Sequence, residues 1–155
     1  MSSRLSAHGL SIVVPTGWEA SITLTHGDSP GENGATGHDH SVLHLANFAL
    51  PSPRGDFGGD VLETMASNQL FLALVEFDRS AATTPLYRQN GLATITAEGF
   101  RRETMHRQVQ GQAGHQQFFN EADRAFCLYS AIGSYHQRQR LSTGVMMVLR
   151  SLQIR

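Results

Sequence analysis

The run Leu70-Phe71-Leu72-Ala73-Leu74-Val75 is apolar without a break. It is far shorter than the roughly 20 apolar residues that a membrane-spanning helix needs. Successive side chains of a strand point to opposite faces, so a strand of this composition is buried on both. It therefore belongs in the middle of a sheet, with a helix packed on at least one face.

The neighbouring segments supply the rest of such a sheet. Leu10-Ser11-Ile12-Val13-Val14 reads as a strand stopped by Pro15-Thr16-Gly17-Trp18. Ser21-Ile22-Thr23-Leu24-Thr25 alternates strictly, and the two segments together read as a hairpin with one solvated face. Residues 42–50 resume strand character, with Val42, His44, Ala46 and Phe48 on one face and Leu43, Leu45 and Ala49 on the other. Leu92 to Thr96 and Met105 to Val109 have weaker strand patterns. Gln116 to Phe119 and Ala125 to Ile132 flank the polar stretch Asn120-Glu121-Ala122-Asp123, a hairpin signature.

Two helices are expected. Asp60, three residues before Glu63, reads as the N-cap of a short helix over about 60–67. Leu141, Val145, Val148, Leu149 and Leu152 fall at helical spacing after a possible Ser134 cap, giving an amphipathic helix across the sheet. Strands, a short helix, more strands and a terminal helix lack the βαβ alternation of a parallel sheet. The expected class is α+β with an antiparallel sheet flanked by helices.

The 155 residues suit a single domain spanning 1–155, which can bury about two thirds of its unfolded surface without disulfides. Patterning lapses over Asp78 to Asn90 and, most clearly, in a Gly/His-rich stretch at about 27–41, which reads as a long flexible loop. No apolar segment after Met1 to His8 resembles a secretory signal, and Cys127 is the only cysteine, so a cytoplasmic protein is expected. A net charge of -1 gives no electrostatic reason to expect nucleic acid or membrane as a partner. All twelve basic residues are Arg. That removes the Schiff-base lysine, the phosphate-loop lysine and the lysine general base at once.

Of the residues with site chemistry, His38-Asp39-His40 stands out. Imidazoles two apart in an extended chain project to one side and can chelate a divalent metal such as zinc. His44 is the third candidate, but four extended residues span about 13 Å, so it joins only through a turn; His26, Asp28 or Asp39 could serve instead. The commoner account of such a loop is a solvated segment in which histidine is an ordinary polar residue. Trp18 is a candidate partner-binding anchor, although a tryptophan beside a strand end more often packs in the core. Cys127, on a face with Ala125, Tyr129 and Ala131, reads as a buried structural thiol. Arg101-Arg102, with Arg107 nearby, and Arg138-Arg140 are basic pairs that could meet acidic partners, or simply form solvated faces.

Three separated pieces, Gly9 to Trp18, Asp123-Arg124-Ala125-Phe126 and Val148-Leu149-Arg150-Ser151-Leu152, together resemble the PsbP/Mog-like family. That resemblance implies an α/β/α sandwich around an antiparallel sheet. It also implies a non-enzymatic interaction module, with no catalytic residue and no cofactor to carry over. The expected function is thus a protein-binding module, adaptor or chaperone-like, docking a protein partner through a sheet face or the groove between sheet and helix, with a homodimer as one form it could take. A metal-binding protein using the His38/His40 loop and a small-molecule-binding domain are the alternatives.

Overall fold

The computed structural model describes residues 1–25, 39–52 and 54–155. The strands are β1 (Ser3–Ala7), β2 (Leu10–Val14), β3 (Glu19–Thr25), β4 (His40–Ala46), β5 (Leu70–Phe77), β6 (Ala113–Glu121), β7 (Arg124–Ile132) and β8 (Gln153–Ile154), with one helix, α1 (Arg138–Leu149). They form a five-stranded sheet in the order β3-β4-β5-β7-β6 and a three-stranded sheet in the order β1-β2-β8. All strand pairs are antiparallel, so the α+β expectation holds.

β5 lies at the centre of the large sheet and is buried on both faces, as its composition requires. Leu70, Leu72 and Leu74 share a core with Leu43, Leu45, Phe126 and Leu128, covered by Leu141, Val145 and Val148 of α1 and by Leu10 and Ile12 of β2. On the other face Phe71, Ala73 and Val75 pack with Val42, Tyr129 and Ala131 under Leu62, Met65 and Met105. Each fully buried Leu or Phe contributes roughly 1.5–3 kcal/mol. Among the described residues α1 is the only α-helix, and 3-10 turns cover the second face where the resemblance implied a helical layer. No helix among them is long and apolar enough to cross a membrane.

Several local expectations are corrected. β2 and β3 do not form a hairpin: β2 is flanked on both edges by β1 and β8, and β3 pairs with β4. The Pro15-to-Trp18 turn, closed by the Trp18 N–H to the Pro15 carbonyl at 3.1 Å, carries the chain from one sheet to the other. β4 keeps its expected faces but ends at Ala46, because the Asn47 side chain accepts from the Leu70 N–H (2.9 Å) and donates to the Asn68 carbonyl (3.1 Å).

The helix expected over 60–67 is a 3-10 turn, Gly59–Thr64, entered through Gly58 at φ 94 with no side-chain cap. Asp60 and Glu63 do not form a capping box; both carboxylates hold Arg107, Asp60 at 2.9 Å. Residues 92–96 and 105–109 are not strands. The stretch before Gly114 runs along the outer edge of β6, meeting it by isolated bridges at Asn90 and Arg101 and through the Gln117 side chain, which accepts from the Ala93 N–H at 2.8 Å. Ser134 caps no α-helix, since a 3-10 turn (Tyr135–Gln137) intervenes and Gln137 occupies the N-cap of α1; Leu152 lies beyond the helix end.

The β6–β7 hairpin forms as expected, with its turn narrowed to Ala122 and Asp123 at φ 53 and 61. His8 and Gly9 make the same kind of turn between β1 and β2, at φ 52 and 78. Positive φ at both central residues matches the right-handed twist of the strands they join.

Candidate functional site

Glu76 is the only charged residue in the β5 run, and alternation puts it on the same face as Leu72 and Leu74. Register then brings it beside Ser41 of β4 and Arg124 of β7, also on that face. Arg124, only 4% exposed, donates from Nε to Glu76 Oε2 (2.6 Å) and from a terminal nitrogen to Glu76 Oε1 (2.9 Å) and Ser41 Oγ (3.1 Å). Glu76 Oε1 also accepts from the Ser41 N–H (3.2 Å) and hydroxyl (2.9 Å). Burial pushes the Glu76 pKa up, but the hydrogen bonds from Arg124 and Ser41 outweigh it and hold the carboxyl below its ordinary range.

The remaining terminal nitrogen of Arg124 donates to the main-chain oxygen of Arg155 at 2.9 Å, and the Arg155 N–H bonds Gly9 O at 2.8 Å. Gly9 is required here twice over. Its φ of +78 suits glycine, and a Cβ at this position would lie 2.5 Å from Arg124 and 2.8 Å from the Arg155 oxygen.

This network forms the floor of a cleft of about 670 Å³ at the ends of the strands, within the size range of small-ligand sites, about 300–1,000 Å³. Leu24 and Phe77, both more than a third exposed, supply its apolar walls; Asp39, His40, Asp78 and Arg79 supply polar rim groups. Arg124 already spends its charge on Glu76, so the floor is electrically balanced. The arrangement suits holding a mixed apolar and polar group rather than a strong ion.

Of the candidate metal ligands, His38 lies outside the described residues. His40 and His44 both lie in extended β4 on one face, four residues apart, so no turn brings them together. His40 Nε2 is 3.5 Å from an Asp56 carboxylate oxygen. His44 has both ring nitrogens engaged: Nε2 meets the Asp56 carbonyl oxygen at 2.6 Å, and Nδ1 accepts from Arg54 Nε at 2.8 Å. It is neutral with the proton on Nε2, and burial holds its pKa below the ordinary value. Among the described residues no three His, Cys, Asp or Glu side chains are grouped to hold a metal ion.

Trp18 is partly buried against the main core. Cys127 is 1% exposed, and burial pushes its thiol pKa up to about 12, so it packs as an inert apolar group. The cleft was missed in the sequence because the two charged side chains of its floor, Glu76 and Arg124, are 48 positions apart; the available signal was one carboxylate at the end of an apolar strand.

Leu24 also places the cleft at the end of an open sheet edge. β3 is outermost in the large sheet, and among the described residues no backbone group bonds to its outer edge, although β1 passes near it. Against known proteins, the chain matches no family model, no curated protein and no solved structure.

Proposed function

We propose that the chain is a non-enzymatic protein-binding module of the PsbP/Mog-like kind, adaptor or chaperone-like, that takes an extended segment of its partner along the C-terminal half of β3. The open β3 edge carries this reading. Residues 20–25 contain no charge and no proline, the devices that normally keep an edge strand from pairing. The opposite edge, β6, is covered by the chain's own residues 89–101. Both faces of the central strands β4, β5 and β7 are buried, which favours an edge over a face for docking. A strand added there makes main-chain hydrogen bonds for affinity, and the cleft beside Leu24 and Phe77 can take one of its side chains for selectivity. Pairing of two β3 strands is the homodimeric form of the same contact.

The test is selection of random-sequence peptides on the intact protein. Selected peptides are expected to slow hydrogen exchange at Ile22 to Thr25 and to lose at least about tenfold in affinity to Thr23→Lys, a drop of 1.4 kcal/mol or more. Thr23 is exposed, so the variant should melt as the parent does. Failure to select any peptide, or equal binding to Thr23→Lys, defeats the reading.

A further inference from the structure

One arginine pair visible in the sequence, Arg101-Arg102, meets Arg138 of the other in space. Arg101, Arg102 and Arg138 line one depression of about 440 Å³, together with Glu98, Phe100, Glu103 and Tyr135. This depression is separate from the β3 edge and does not depend on the function proposed for it.

The guanidinium of Arg138 sits 4.1 Å from the centre of the Tyr135 ring and that of Arg102 sits 4.7 Å from it. Arg138 also donates to the Tyr135 carbonyl at 3.1 Å, and the Tyr135 N–H is fixed to Gly111 O at 2.7 Å. The Arg101 main chain is held by paired bonds to Gly114 at 2.9 and 2.8 Å, beside the fully buried Phe100. The backbone under this cluster is therefore fixed, and a ring holds two of the planar forks in place.

Elsewhere Arg124 is neutralised by Glu76, and Arg107 by Asp60 and Glu63. Among the described residues no carboxylate lies within ion-pair distance of Arg101, Arg102 or Arg138, not even Glu98 or Glu103 on the same rim. Three guanidinium groups, against two carboxylates on the rim, thus share one depression with most of their donors unspent. The first turn of α1, which begins at Arg138, carries no acidic residue and no side-chain cap, adding to the same positive field.

We infer that this depression is a binding site for a doubly charged phosphate group, either inorganic phosphate or a phosphate monoester. A carboxylate is satisfied by one guanidinium fork, as Glu76 is by Arg124. Three forks match a group with three or more acceptor oxygens and two negative charges. Glu98 and Glu103 reduce the positive excess of the rim, which favours a compact dianion over an extended polyanion such as nucleic acid.

The test is titration of the intact protein with inorganic phosphate and with phosphoserine, against chloride at equal ionic strength, followed by the arginine Nε–Hε signals in NMR. Saturable shifts of Arg101, Arg102 and Arg138 are expected. Tighter binding of phosphoserine identifies an ester as the ligand, and tighter binding of phosphate identifies the free ion. Arg102→Gln is expected to weaken binding at least about tenfold, the worth of one charge-assisted contact. Arg102→Lys should weaken it too, by removing the fork while keeping the charge, and serves alone if the glutamine variant does not fold. Arg4→Gln, in the small sheet, should bind as the parent does. Shifts that do not saturate, that chloride reproduces, or that persist in both Arg102 variants overturn the site.

Discussion

Arg124 and Glu76 illustrate how differently a buried ion pair behaves when it is removed whole or by halves. Replacing both partners with apolar groups of similar volume is often close to neutral, whereas removing one leaves a charge in the core. Arg124→Met is therefore expected to lower stability by about 3–5 kcal/mol, read from urea unfolding. The double variant with Glu76→Leu should recover most of that loss, and recovery of none of it would show that Arg124 acts through its bonds to Ser41 and Arg155 instead. Neither residue stood out in the sequence as site chemistry: Glu76 simply follows the apolar run, and Arg124 entered only as part of the family-like piece Asp123 to Phe126. A buried arginine looks like any surface arginine until the register of β5 and β7 is known. His44 was visible as a metal candidate, yet its neighbours Arg54 and Asp56 come from a loop that pattern reading leaves shapeless.

At the scale of elements, the strands and helix with a clear pattern were legible: β2, β3, β4, β5, β6, β7 and the core face of α1. The short and polar ones were not. β1 is Ser3-Arg4-Leu5-Ser6-Ala7, whose strand state comes from its pairing with β2 through the His8–Gly9 turn rather than from its own composition. β8 has only two residues, defined by Leu10 and Ser11 opposite them. Conversely, the alternation at 92–96 formed no strand, because glutamine side chains and single bridges satisfy β6 there. The β6–β7 turn carries a local conflict, since Ala122 has no side-chain hydrogen bonding to favour φ 53 and Asp123 follows at φ 61. Only glycine and, less readily, asparagine or aspartate adopt this region without strain. Replacing Ala122-Asp123 by Asn-Gly should therefore stabilise the fold by about 1 kcal/mol. Thermal melting would detect it as a rise of several degrees; no rise would mean the flanking strands fix the turn regardless of residue.

For the whole molecule, buried and half-buried titratable groups on both faces of the large sheet make acid response a property of the fold. His44 is held neutral under its loop, and His115, beside Gly99 and Gln117 on the other face, is also held below its ordinary pKa by burial. The unfolded chain takes up protons at these histidines near pH 6.5 while the folded chain still resists them. Stability from both is thus complete above that pH and drains as pH falls toward their folded values. Glu76 follows in a second window: its folded pKa lies below the ordinary 4.5, so its contribution is present above that value and is lost on further acidification. Unfolding free energy measured from pH 7.5 to 3.5 should therefore fall in two stages, each group adding a slope of at most about 1.4 kcal/mol per pH unit. His115→Gln should remove up to one proton from the uptake on unfolding in the upper window and leave the lower one intact. A flat profile between pH 7.5 and 5.5 would mean that the folded protein protonates both imidazoles as readily as the open chain does, which the enclosed contacts of His44 and His115 oppose.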